Sequence, residues 1–411
     1  MKPFFSVSSL PVISPSTYLQ PRCGQCGLHK TCQTPYMPVS GKGREKILIV
    51  GEAPGATEDR EGVQFCGESG LELEAAFAKF GLDMRRDCWL HNALSCRPPG
   101  NKIPKPEMVD YCRPYVLKAI KELKPHKVLL FGATAVKSVL GHYWKRDLGL
   151  NDGQGKKAKE PVTRWLDWHI PLRKPNMWIC ANIHPDSAYL YSQDKPVVKL
   201  MFERYLKRAL SFSGRPWQEI PDYESQLRVI SDHHEAAREI RKFIQAGKRI
   251  AFDFENNMLK PDPPNARIVC CSVSDGVTSI AFDWHGEAIK AMRELVRSPQ
   301  PKVASNLKHE ERWTLKEFGC MVRNWDTDTM LTAHWLDNRE AITSVKFQAF
   351  VLCGQEPWDD HIKPYLKAES SSVPNRIHEL DPYDLKKYCC YDSLMEMLVA
   401  QKQRRKAGLP L

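Results

Sequence analysis

The sequence predicts two α/β domains in tandem. Three observations carry this. Short apolar runs alternate with helix-spaced segments from Lys46 to Ala181. Turn formers then crowd Ser211–Asp222, and a second alternation begins at Arg249. A chain of 411 residues is too long for one typical domain and comfortable for two.

Lys46–Val50 is an apolar run that ends in a Gly/Pro turn, so it predicts a strand. Gly70–Phe80 has helical spacing, and Cys88–Asn92 is a second strand. Pro106–Leu123 is a helix with Pro and Glu at its start. Lys127–Phe131 is a third strand, followed by a helix through Leu140, and Met177–Ala181 is a fourth. Strands that recur with helices between them make a parallel sheet covered on both faces. Ligands sit at the carboxyl ends of such strands. Residues 145–175, rich in Lys, Gly and Trp, read as a long loop or insertion. The expected division is a domain over 1–210, a linker over 211–225 and a second domain over 226–411. There, strands are expected at 249–254, 267–273 and 278–283, and helices near 287–297, 309–318, 327–337 and 384–406. The halves share no internal repeat.

Apolar residues make up 42% and charged residues 27%, which excludes a disordered or collagen-like chain. No run approaches the roughly 18–20 apolar residues that span a bilayer. The N-terminal MKPFFSVSSLPVISPS is broken by Ser and Pro and makes a poor signal peptide. The expectation is a soluble cytoplasmic protein with no membrane partner. The net charge of +11 is uneven: residues 1–210 carry 32 Lys+Arg against 20 Asp+Glu, a surplus of 12, and the remainder carry 28 against 29. A basic half points to a polyanion, most often nucleic acid. Fourteen scattered cysteines without a secretion signal point to a reducing compartment and to metal binding.

Cys23-Gly-Gln-Cys26 is a C-x2-C pair, and Cys96 and Cys112 follow. Four such thiolates close a site around zinc or a four-iron cluster. Spacing does not separate the two, and Cys32 competes as a ligand. Gly51-Glu-Ala-Pro-Gly55 follows the first strand, with Glu58 and Phe65 downstream. Asn92 closes the second strand and His184 the fourth, so all fall at one end of the sheet. An Asn side chain reads a pyrimidine edge, and a His supports charge on a leaving group.

GEAPGATEDREGVQFCGESG, HNALSCRPPG with Cys112 after it, and IHPDS together resemble the iron–sulfur (family 4) uracil-DNA glycosylases over about residues 20–208. The resemblance implies a three-layer parallel-sheet domain with a [4Fe–4S] cluster on Cys23, Cys26, Cys96 and Cys112. It implies that Phe65 stacks on a flipped uracil, in a pocket built with Gly51, Ala53 and Glu58. Asn92 would bond the base edge, Glu52 would position the attacking water, and His184 would stabilise charge on uracil O2. The chain has HPD where the family usually has HPS. The loop between Cys96 and Cys112 contains no His, so it lacks the nucleophile of the subfamily that traps DNA covalently.

In the second half, Asp253 and Glu255 stand two apart in a strand and so share a face. Two carboxylates there are costly unless cations join them, and a pair of Mg²⁺ ions is the usual answer. Asn306-Leu-Lys-His-Glu310 follows at a strand-to-helix junction. Trp325–Met330 comes next, where Asp328 reads as a helix cap, with a contribution to the acidic set as the alternative. Tyr388 and Asp392 then share a helix face at i, i+4. This order resembles the DEDD 3′–5′ exonuclease domain of A-family DNA polymerases, of ribonuclease-H-like mixed-sheet fold, over about 226–408. The resemblance implies that Asp253, Glu255, Glu310 and Asp392 hold two Mg²⁺ or Mn²⁺ ions and that Tyr388 orients water. Glu310 stands where that family more often has Asp.

The combined expectation is an enzyme that excises uracil from DNA and trims 3′ ends. It would be a viral or bacterial replication or repair protein, in the host cytoplasm if viral, with an A-family polymerase on a separate chain. The alternative is a DNA-binding, uracil-reading module with a silent glycosylase site that serves the exonuclease or a polymerase.

Overall fold

The structure, a computed structural model, describes residues 23–144, 162–370 and 373–410, without the side chains of Ser187 and Ala188. The N-terminal run through Ser16 and residues 145–161 of the expected insertion lie outside these. The chain divides into two compact units, Met1–Ile220 and Pro221–Leu411.

In the first unit, β1 (Ile47–Gly51) runs into the short helix α1 (Ala56–Glu61), then α2 (Glu68–Ala78) and α3 (Met84–Asp87). β2 (Cys88–Asn92), α4 (Pro106–Leu123), β3 (Lys127–Phe131) and α5 (Ala133–Trp144) follow. β4 (His169–Leu172), β5 (Met177–Asn182), α6 (Ser187–Leu190) and α7 (Val197–Leu210) complete it. The sheet order is β2-β1-β3-β5-β4. β1, β2, β3 and β5 are parallel and fully apolar in their centres, with Leu48, Ile49, Val50, Leu130 and Ile179 sealed from solvent. Such strands need cover on both faces, and helices supply it.

Two expectations change here. The sheet is not purely parallel, because β4 pairs antiparallel with β5 inside what reads as a loop. Its four residues include Pro171, which lacks a donor and is tolerated because β4 lies on the sheet edge. The segment after α7 is also less of a spacer than its turn formers imply. Phe212 packs its ring against His169 and Trp178, Lys127 Nζ donates to the Phe212 carbonyl at 2.6 Å, and Asn176 Nδ2 donates to that of Trp217. The first unit therefore runs to Ile220, while Tyr223, buried, belongs to the second and donates to the Cys353 carbonyl.

The second unit opens with β6 (Leu227–Ile230), α8 (His233–Ala246), β7 (Ile250–Asn256), β8 (Ile268–Ser274), β9 (Ser279–Asp283) and α9 (Gly286–Arg297). β10 (Lys302–Ala304), α10 (Lys308–Phe318), β11 (Trp325–Asp328) and α11 (Thr329–Leu336) come next, then α12 (Val345–Cys353), α13 (Lys363–Leu366) and the long α14 (Pro382–Lys406). β7, β8 and β9 are antiparallel neighbours, and β10 and then β11 extend the sheet parallel to β7. That run, β9-β8-β7-β10-β11, has the 3-2-1-4-5 order of the ribonuclease-H-like fold, with β6 added beyond β9. Alternation along β7 sends Phe252 and Phe254 into the core with α8 and α9. Asp253 and Glu255 are thereby turned to the face that carries α14. There Ser272 and Ser279 donate to carbonyls of Cys389 and Cys390. The described residues contain no helix long and apolar enough to cross a membrane.

Candidate active sites

Gly51, Glu52, Ala53, Glu58, Phe65, Asn92 and His184 line one cavity of about 650 Å³ at the carboxyl end of the first sheet. Register explains the convergence. Gly51 ends β1 directly opposite Asn92 at the end of β2. The next residues stay zipped, Ala93 N–H donating to Gly51 O and Leu94 N–H to Glu52 O. Gly51 has no room for a side chain, since a Cβ there would lie 2.4 Å from Asn92 Oδ1 and 2.8 Å from the Phe65 ring. Glu52 accepts a hydrogen bond from the Thr134 hydroxyl at 2.7 Å, which aims its carboxylate.

Glu58 lines the cavity and also holds its loop. Its two oxygens accept from Gly55 N–H at 3.0 Å and Gly67 N–H at 2.7 Å, so it staples the loop around the cavity. Asp186, of the HPD departure, uses its carboxylate to accept from Tyr189 N–H at the start of α6.

Phe65 is held in a strained backbone. Its φ is +55°, a region bulky residues avoid at a cost of about 1–3 kcal/mol. Arg85 clamps it by donating to the Gln64 carbonyl at 3.2 Å and the Phe65 carbonyl at 2.8 Å. Gly70 permits it, because a Cβ there would sit 2.1 Å from the Phe65 oxygen. Arg85→Ala is expected to release the turn and raise KM for a uracil-containing strand several-fold, with the fold retained by circular dichroism. Steady-state kinetics on single-stranded DNA measure this.

Cys26, Cys96 and Cys112 share a small core with Leu28, Ala53, Ala93 and Leu94, next to the loop of the cavity. The Cys23 and Cys26 thiols lie within electrostatic reach of Cys112. Tyr36 N–H donates to Cys96 Sγ at 3.4 Å. Burial pushes the Cys96 thiol well up and that of Cys112 up to about 11, so this core disfavours thiolates unless a cation shares it. Cys32 packs against the same core.

In the second unit, Asp253 and Glu255 on β7 lie within electrostatic reach of Asp392 and Tyr388 on α14, and Glu310 on α10 within reach of Asp253. The helix adds a fifth acid the sequence reading missed, Glu396, one turn beyond Asp392; i, i+4 spacing on α14 was the available signal. Glu255, Glu310, Asp392 and Glu396 are all buried. Glu310 Oε2 and Glu396 Oε2 have no hydrogen-bond partner among the described residues. Burial first, and repulsion from the other acids second, lifts the carboxyls of Asp253, Glu255, Glu310 and Glu396 above the usual range. Ligand atoms of Asp253, Glu255 and Cys389 lie within 4.8 Å of one another. Asp328 lies within electrostatic reach of Glu310 but spends its oxygens on backbone. Its oxygens accept N–H groups of Asn306, Leu307, Met330 and Leu331, pinning the junction that carries α10 and capping α11. Orphaned buried carboxylate oxygens of this kind fit divalent cations.

Lys346 on α12 is a second residue the motifs did not reveal. Its Nζ donates to both oxygens of Asp392, at 2.6 and 2.7 Å, and to Tyr388 OH at 3.1 Å. Trp358 Nε1 donates to Asp392 as well. Lys346 thus lies within electrostatic reach of Asp392, Asp359, Asp253, Glu255 and Glu396. Lys346→Met is expected to destabilise the metal-free protein by about 3–5 kcal/mol, the usual cost of stranding a buried charge. Mn²⁺ should restore more stability to this variant than it adds to the native chain, as thermal unfolding with and without EDTA would show.

Fold and cavity together define a uracil-DNA glycosylase superfamily domain, and the family model of that description matches residues 38–207. The chain is 31% identical over 201 residues to the type-4 uracil-DNA glycosylase of Archaeoglobus fulgidus, covering 49% of this chain and 93% of that one. It is 37% identical over 160 residues to that of Pyrobaculum aerophilum, covering 37% and 81%. The chain belongs to the type-4 uracil-DNA glycosylases through its first unit. Among solved structures, Trypanosoma brucei RNase D bound to GMP is similar at 15% identity and a TM-score of 0.36, covering 44% of this chain and 57% of that one.

Proposed function

We propose that the chain is a two-site DNA enzyme that excises uracil and hydrolyses 3′-terminal phosphodiesters. The observation that carries the first activity is the meeting of Glu52, Phe65, Asn92 and His184 in one cavity. A base flipped out of the strand stacks on Phe65, and Asn92 Oδ1 accepts its N3–H. Glu52 orients a water whose oxygen bonds to C1′ and takes the proton it loses. The C1′–N1 bond breaks with its electron pair on the base, and His184 stabilises that charge at O2.

Cys23, Cys26, Cys96 and Cys112 are the ligands we assign to a [4Fe–4S] cluster, which would tie the N-terminal turn to the β2–α4 loop and α4. Four thiolates suit either tetrahedral zinc or such a cluster, and the likeness to the type-4 uracil-DNA glycosylases is what favours the cluster.

The second activity rests on the orphaned acids. Asp253, Glu255, Glu310 and Asp392, with Glu396 beside them, would hold Mg²⁺ or Mn²⁺. Such ions supply an activated water and charge for the leaving oxygen. Tyr388 orients that water toward the terminal phosphate, and Lys346 leaves Asp392 to meet the phosphate charge.

Single-stranded uracil-containing DNA tests both. In EDTA, alkali-labile abasic sites are expected without shortening of the strand; their absence overturns the glycosylase reading. With Mg²⁺ or Mn²⁺, 3′ trimming is expected on uracil-free DNA, and its absence overturns the nuclease reading.

A further inference from the structure

Gln64 is fully buried beside the cavity but has no place in the chemistry above. Its side-chain nitrogen donates to the Pro38 carbonyl at 3.3 Å and approaches that of Met37 at 3.5 Å. Both are acceptors, so the amide has one satisfied orientation, with Oε1 turned the other way. That oxygen accepts from Asn92 Nδ2. Asn92 is therefore fixed in turn: its nitrogen is spoken for, and Oδ1 lies over Gly51, as the Phe65 ring edge also does. Two amides in series carry the polarity of two backbone carbonyls to the base edge.

The consequence is selectivity. Uracil presents a donor at N3, whereas cytosine presents an acceptor there and a donor at N4. An Asn side chain free to turn by half a rotation matches either base. One whose nitrogen is held presents only an acceptor at N3. We propose that Gln64 is a specificity-determining positioning residue, which locks Asn92 in the orientation that accepts uracil and repels cytosine.

This inference rests on the reading of Asn92 as the base reader. The test uses the full chain on single-stranded DNA with one uracil or one cytosine. Gln64→Met keeps the volume and removes the amide's hydrogen bonds to Pro38, Met37 and Asn92. It is expected to lower the ratio of uracil to cytosine excision roughly 10- to 100-fold, and to weaken inhibition by free uracil relative to free cytosine. Loss of packing alone would lower both rates together and leave the ratio in place. An unchanged ratio in a folded Gln64→Met protein overturns the proposal. Gln64→Glu carries the test if that variant does not fold. Its carboxylate still accepts from Asn92 but loses its donors to Met37 and Pro38, so a lower Tm with the native ratio is expected. Cytosine excision by Gln64→Glu would equally overturn the proposal. If the native chain removes no uracil, the glycosylase reading fails instead, which keeps the two failures distinct.

Discussion

Asp253→Asn is expected to abolish 3′ trimming while uracil excision proceeds at the native rate. Metal-held activation of water and leaving group is worth several kcal/mol, so about 10³-fold or more in rate should be lost. The same change has a second, opposite effect. In the metal-free protein Asp253 is half-buried among other acids, and its desolvation with Asp392 beside it lifts its carboxyl. Folded Asp253, Glu255, Glu310 and Glu396 therefore hold protons that the unfolded chain releases near its ordinary carboxylate pKa. A raised folded pKa gives stability that is fully present below the unfolded value and lost as pH rises through the folded one. Tm in EDTA should fall as pH rises from the ordinary carboxylate range toward neutral. Asp253→Asn should flatten that fall and raise Tm at pH 7, and Mn²⁺ should raise the native Tm but barely move the variant's. Thermal unfolding across pH, in EDTA and in Mn²⁺, measures both; a variant less stable than the native chain in EDTA at pH 7 would contradict the like-charge account.

The sequence was most legible where side chains follow a simple period. β2, β3 and α4 fall where their apolar patterns place them, because buried parallel strands and an amphipathic helix leave strong local signatures. β10, three residues long, and β11, Trp-Asp-Thr-Asp, have no such pattern. They are strands because β7 offers an edge to β10, β10 offers one to β11, and Asp328 is consumed by capping, a reason that exists only in three dimensions. The site shows the same divide. Asp253, Glu255 and Asp392 stand at motif spacing, whereas Lys346 reaches Asp392 across 46 residues from another helix. Gln64 reaches Asn92 across 28, and Arg85 reaches the Phe65 carbonyl across 20. Motifs named the candidate groups of each site; the groups that aim them came from packing.

His184→Ala is expected to cost the first activity about 10²–10³-fold in kcat, the usual loss when one stabiliser of developing charge is removed. The position of the ring supports so large a figure. Gly132, at the end of β3, lies against it, and a Cβ there would come within 3.0 Å of the imidazole. A ring held at the rim of a rigid sheet keeps its orientation before substrate arrives, and preorganised charge stabilisation is what accelerates bond cleavage. Binding should change little, because the charge His184 meets does not exist in the bound ground state. The variant should therefore hold a uracil-containing strand with near-native affinity, with the loss confined to kcat. Trimming of uracil-free DNA in Mg²⁺ should be unaffected. Single-turnover excision beside a gel-shift titration separates the two terms. A variant whose defect lay wholly in affinity would show that His184 serves DNA binding, and the charge-stabilising role would pass to another group in the cavity.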